Sequence, residues 1–157
     1  MRFSHYLLKP QSIYTPETRD DLPESLALAP RLRGVVTFSS RAISLSGQAT
    51  TYGLLVDTRK NFRSINVGPS GETVAVSPGA LLRAVNTALA RHKRKLAPDP
   101  ASEIACTIGG LVAHNSSGMC CGTEQNTYRT LESMVLVLPS GVVIDTGAAN
   151  ADALLQH

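Results

Sequence analysis

Pro98-Asp99-Pro100-Ala101-Ser102, Thr107-Ile108-Gly109-Gly110 and His114-Asn115-Ser116-Ser117-Gly118-Met119-Cys120-Cys121-Gly122-Thr123 lie in one stretch, 98–123. A core helix or strand would not choose this run, because Gly, Ser, Thr and Asn dominate it. A solvated linker would not carry Ile104, Ile108, Leu111, Val112 and Met119. Small residues let a flat ligand approach the backbone closely and leave N–H donors within its reach. A second stretch of similar character, Ser44-Leu45-Ser46-Gly47-Gln48, sits inside a loop over 39–50. It follows the β-branched run Val35-Val36-Thr37-Phe38, which reads as a strand. Loops rich in hydroxyls and free amides can carry a diphosphate without full neutralisation by Lys or Arg. Taken alone, such loops are also found as plain connections.

Working outward, Ile13-Tyr14 before Pro16 reads as a strand end. Thr18 is a candidate N-cap for a helix carrying Leu22, Leu26 and Ala29, with Asp20 and Asp21 at its start and Pro30 at its stop. With the strand at 35–38 this makes a small β-α-β unit, and Gly53 to Asp57 adds a strand. Phe62 to Val67 and Thr73 to Val76 read as an antiparallel pair around Gly68-Pro69-Ser70-Gly71. Ser77-Pro78 is expected to open a helix with Leu82, Val85, Leu89 and Leu96 on one stripe, running until Pro98. Ser102 is expected to cap a shorter helix through Leu111. Ser133 to Leu138 and Val142 to Thr146 read as a hairpin. The expectation is an α+β domain over 10–157. Its small β-α-β subdomain covers about 10–57, and a mainly antiparallel sheet with helices follows at about 58–157.

The chain has 157 residues, enough for one domain with a real core. Aromatics are scarce and Trp is absent, which argues against a surface that stacks bases. Much of the net charge of +3 sits in Arg91, His92, Lys93, Arg94 and Lys95. A solvated helix end explains that run more simply than a nucleic-acid patch, which would interleave aromatics. Cys106, Cys120 and Cys121 show no zinc spacing and no paired framework. A reducing, cytoplasmic setting is the simplest inference. Arg2 and Lys9 flank no sustained apolar stretch, so neither a signal peptide nor a transmembrane segment is expected.

The runs Ser44 to Gln48, Pro98 to Ser102, Ile108-Gly109-Gly110 and Ser117 to Thr123 resemble the FAD-binding (PCMH, vanillyl-alcohol-oxidase-type) domain of FAD-linked oxidases. Gly118-Met119-Cys120-Cys121-Gly122-Thr123 is similar to the D-lactate and D-2-hydroxyglutarate dehydrogenase branch. The likeness covers roughly Ile13 to Gly147 and is specific in its second half. It implies FAD as cofactor, with the loop Ala42, Ile43, Ser44, Leu45, Ser46, Gly47 and Gln48 at the pyrophosphate. It implies Pro98, Pro100, Ala101, Ser102, Thr107, Gly109 and Gly110 along the flavin and ribityl chain. Asn115, Ser117 and Gly118 would complete the pocket, and Val143 would lie near the adenine. Hydride would pass from substrate C2 to flavin N5 in the intact enzyme. The family's domain and its substrate cap run well past position 157. A fragment is therefore expected, with any metal or iron–sulfur cluster outside this stretch and no complete catalytic set within it.

The family loop usually reads Arg-Ala-Ala/Gly-Gly-Thr-Ser-Leu-Ser-Gly-Gln, whereas this chain opens Ser39-Ser40-Arg41-Ala42-Ile43. Ala42 stands where Gly is expected, and at positive φ it costs about 1 kcal/mol. Ile43 removes a hydroxyl and adds bulk. These departures support an alternative, a truncated non-catalytic remnant that binds FAD weakly or not at all. His114, where the family usually has Asn, is expected to line a pocket rather than bond covalently to a flavin. Cys120 and Cys121 are expected to be small buried residues, not a redox or cluster pair. Asp57 and Asp99 are expected to be a strand end and a turn rather than an acid–base pair. Tyr128-Arg129 could reach a flavin or lie on the surface. The expected partners are FAD and, in the whole enzyme, a small 2-hydroxy acid, with no nucleic acid.

Overall fold

A computed structural model of the chain describes residues 8–31 and 34–151. The sequence readings at Arg2 and at the end of the chain, 152–157, lie outside them. Strand β1 (Ser12–Tyr14) leads through α1 (Asp21–Ala27) to β2 (Val36–Ser39), and β3 (Leu54–Asp57) inserts between them. Both pairings are parallel, with Ile13 and Thr37 each opposite Leu55. Central β3 buries Leu54, Leu55 and Val56 in succession, the apolar run expected of a strand covered on both faces. Adjacent parallel strands need a long crossover, usually helical. Between β2 and β3 that crossover is the irregular segment 40–53. It therefore starts at the carboxyl end of the sheet, where open α/β sheets bind ligands.

Strands β4 (Ile65–Val67) and β5 (Val74–Val76) form the expected antiparallel pair, and Gly71 adopts φ 71° in the turn. Their Ile65, Val67, Val74 and Val76 pack against Ala80, Val85 and Leu89. The latter two belong to α2 (Leu82–Ala90). This helix is shorter than its apolar stripe predicts. Ser77 does not cap it: Ser77 O accepts Ala80 N–H in a turn, and the helix starts after the extended Leu81, which bridges Thr107. At the other end Lys93 turns left-handed (φ 56°) and Asn86 Oδ1 accepts the Leu96 N–H. Leu96 thus reaches the core from a returning loop, not from the helix.

Ser102 likewise fails to cap a helix, since its carbonyl takes the Ala105 and Cys106 N–H groups in a turn. Thr107 then runs extended, and α3 spans Ile108–His114. The start of α1 differs as well. Thr18 is not its N-cap; the Asp21 carboxylate reaches back to the Glu17 and Thr18 N–H groups at 2.9 and 2.8 Å. Those bonds hold the Asp21 pKa below the ordinary carboxylate value. A short α4 (Thr127–Thr130) precedes the hairpin β6 (Val135–Val137) and β7 (Val143–Asp145). The result is an α+β arrangement of one parallel and two antiparallel sheets. No described helix is long and apolar enough to cross a membrane.

Candidate functional site

The crossover and the stretch 98–123 share one cleft of about 600 Å³. One side comes from the end of β2 and the loop after it: Ser39, Ser40, Arg41, Ala42, Ile43 and Ser44, with Gln48 and Ala49. The other comes from Ser102, Cys106, Thr107, Gly109 and Gly110, continuing through α3 to His114 and Ser116. Leu22, Phe38, Phe62 and Pro78 add apolar lining. No Asp or Glu lines it, and Arg41 and His114 are its only basic side chains.

Three features define the crossover side. Ala42 adopts φ 52°, left-handed for a residue with a β-carbon. No backbone N–H from Ser40 to Ser44 donates to a protein acceptor among the described residues. The buried Ser40 Oγ meets no partner either. A left-handed residue within a run of free amides is the backbone form that makes an anion-binding concavity. Beyond it the loop closes on itself: Ser44 Oγ donates to Gln48 Oε1, and Thr50 bonds Gly47 O through both its N–H and its hydroxyl. Ile43 packs against the buried Leu82, Cys106 and Leu111, so its bulk is anchored in the core.

On the α3 side, the first amides are already engaged. Ile108 N–H donates to Ala80 O at 3.0 Å and Gly109 N–H to Pro78 O at 2.8 Å. Gly109 is therefore a packing glycine, since a β-carbon there would meet Pro78 Cβ at 2.8 Å. Gly110 is different: a β-carbon would find only Thr107 Oγ1, at 3.5 Å.

Of the residues expected at the site, Ala42, Ile43, Ser44, Gln48, Ser102, Thr107, Gly109 and Gly110 line the cleft. Leu45, Ser46, Gly47, Pro98, Pro100, Ala101, Asn115, Ser117, Gly118 and Val143 do not. Gly118 and Asn115 instead help to hold the loop, together with Asp99. Asp99 accepts the Cys120 and Cys121 N–H groups at 3.1 and 3.3 Å. Gly118 lies so close that a β-carbon would meet Asp99 Oδ1 at 2.0 Å. Asn115 ends α3 at φ 45° and accepts the Tyr128 N–H, tying α3 to α4. Cys120 is exposed rather than buried, although its N–H group bonds Asp99; Cys121 is buried as expected. Tyr128 and Arg129 lie on the surface outside the cleft. Asp57 is held by Arg59, whose hydrogen bond lowers its pKa, and neither Asp57 nor Asp99 lines the cleft.

Asp99 makes the loop acid-sensitive. Hydrogen bonding from Cys120, side chain first and then backbone, holds its pKa below the ordinary value. A depressed carboxylate contributes stability above its unfolded pKa, and that stability is lost as pH falls through the folded pKa. Asp99→Asn should therefore protect the 98–123 amides less at neutral pH and flatten the acid limb, as read by hydrogen exchange. An unchanged acid limb counts against the clip.

Residues 10–147 match the family model of the FAD binding domain. The chain belongs to that family. It is 34% identical over 152 residues to glycolate oxidase subunit GlcD of Escherichia coli K12, covering 96% of this chain and 30% of that protein. It is 25% identical over 159 residues to D-2-hydroxyglutarate dehydrogenase of Haemophilus influenzae, covering 98% of this chain and 15% of the relative. Among solved structures, 6-hydroxy-D-nicotine oxidase of Arthrobacter nicotinovorans superposes with a TM-score of 0.78 over 90% of this chain and 31% of its own, at 19% identity. The chain thus spans under a third of these proteins. The fold is the PCMH-type FAD-binding α+β fold, and FAD is the family's cofactor.

The cleft residues that sequence reading missed include Leu22, Phe38, Ser40, Arg41, Thr58 and Phe62. Ser40 and Arg41 carried a usable signal, being the first residues after a strand end. Leu22 and Phe62 carried none, because only the packing of distant segments brings them in.

Proposed function

We propose that this chain is the FAD-binding portion of a flavin-dependent dehydrogenase for a small 2-hydroxy acid of the D-lactate or D-2-hydroxyglutarate type. The carrying observation is the cleft shared by the crossover and the 98–123 stretch. The names of the two curated relatives support the substrate class, since glycolate and 2-hydroxyglutarate are both 2-hydroxy acids.

The residues fit the cofactor. The free amides around Ala42 and the orphaned Ser40 hydroxyl suit a pyrophosphate. Ser44 and Gln48 brace that loop, while Ser102, Thr107, Gly109 and Gly110 would face the flavin and ribityl chain. Bound FAD supplies a ring that accepts the substrate hydride, from C2, at N5. The chain's own work would be to position the ring in a cleft with Phe38 and Phe62 in its apolar lining, and to compensate phosphate charge with amides.

The test is colour. Incubated with excess FAD and desalted, the protein should stay yellow with flavin absorbance in proportion to protein. A colourless product overturns the assignment. Ala42→Gly should relieve the left-handed strain and raise unfolding stability by about 1 kcal/mol, tightening FAD binding with it. Loss of stability in that variant, read by urea denaturation, would contradict the φ 52° conformation.

A further inference from the structure

We infer that Ser40 and Arg41 form an anion subsite of this chain's own, which reads the diphosphate of the bound dinucleotide. Consecutive on one side of the cleft, they offer complementary groups. Ser40 Oγ is buried, lines the cleft and has no protein partner, the only such buried side-chain atom among the described residues. An unpartnered buried hydroxyl costs stability unless something pairs it. Arg41 is exposed and forms no ion pair among the described residues. Because no acid lines the cleft, nothing there competes for its guanidinium. A guanidinium can bind two phosphate oxygens through a rigid pair of donors. The family loop pattern quoted above has small residues at both positions. Ser40 thus adds a hydroxyl where that pattern has none, and from the adjoining position Arg41 adds a charge.

The inference rests on the FAD reading for the identity of the anion. Its test keeps the two apart by using FAD, ADP and riboflavin as separate probes on the whole chain, followed by calorimetry. Arg41→Gln should weaken FAD and ADP about tenfold, with riboflavin unchanged, and should reduce the salt dependence of ADP binding. Arg41→Lys should recover part of the loss. Ser40→Ala should weaken FAD and ADP about fivefold. Without ligand, that variant's thermal midpoint should hold or rise, because the hydroxyl has no partner in the free protein. ADP affinity unchanged in both variants overturns the inference, as does an equal loss for riboflavin or a lower unliganded midpoint in Ser40→Ala. If ADP behaves as expected but neither flavin is retained, the subsite stands and the flavin assignment falls. If FAD is retained and the variants bind as the parent does, the assignment stands and the subsite falls.

Discussion

Leu82→Ala should lower the unfolding free energy by about 3 kcal/mol and weaken FAD binding at the same time. Leu82 is fully buried at the first position of α2 and packs with Cys106, Leu111 and Ile43. Truncation leaves a cavity that close-packed neighbours fill only partly. The position matters as much as the volume. Ile43 belongs to the crossover loop and rests on this cluster, so a softened core removes the support beneath the free amides. Urea unfolding should show a lower midpoint with an unchanged slope. Ala88→Gly, which removes one methyl group from a half-buried helix site, should cost only about 1 kcal/mol and leave FAD affinity alone. Equal effects on binding from the two variants would show that Ile43 does not depend on Leu82.

Gly79→Ala should be comparably severe for a different reason. An added β-carbon would stand 2.3 Å from Thr58 O and 2.6 Å from Phe62 O. Both are backbone atoms, so no side-chain rotation relieves the contact and the 58–62 segment must move. Overpacking of this kind costs about 3 kcal/mol. Since Thr58 and Phe62 line the cleft, the displacement should also reduce FAD affinity. Gly110→Ala provides the contrast. Its added methyl meets only Thr107 Oγ1, at ordinary contact distance, and a helical Gly→Ala change stabilises by about 0.5–1 kcal/mol. Gly110→Ala should therefore raise stability while narrowing the cleft and weakening flavin binding. If both glycine variants shift stability in the same direction, the packing assigned to these two positions is wrong.

Local patterns made much of this molecule legible. The β-branched run at 35–38, the apolar run at 54–56 and the Gly-Pro-Ser-Gly turn at 68–71 each announce one conformation, and each adopts it. Helix ends were the weak point. Ser77, Ser102 and Thr18 are all good capping residues by type, yet none caps. At Ser77 and Ser102 the backbone carbonyl closes a tight turn, and at Thr18 a carboxylate three residues on takes the amide. A capping side chain helps only where tertiary contacts let a helix begin, and the Leu81–Thr107 bridge delays both α2 and α3.

The site divides along the same line. Composition makes 44–48 and 98–123 candidates for holding a ligand, because hydroxyls and glycines are poor material for a core and good material for an anion, and the family resemblance favours that reading over plain connections. Which atoms in those stretches are free was decided by packing. The amides of Ile108 and Gly109 are taken by Ala80 and Pro78, and Asp99 takes those of Cys120 and Cys121. The amides of 40–44 stay unpaired, because that segment crosses between parallel strands without a helix to consume them. Hydrogen-bond capacity is a property of residue type. Its availability to a ligand depends on what the rest of the chain has already claimed.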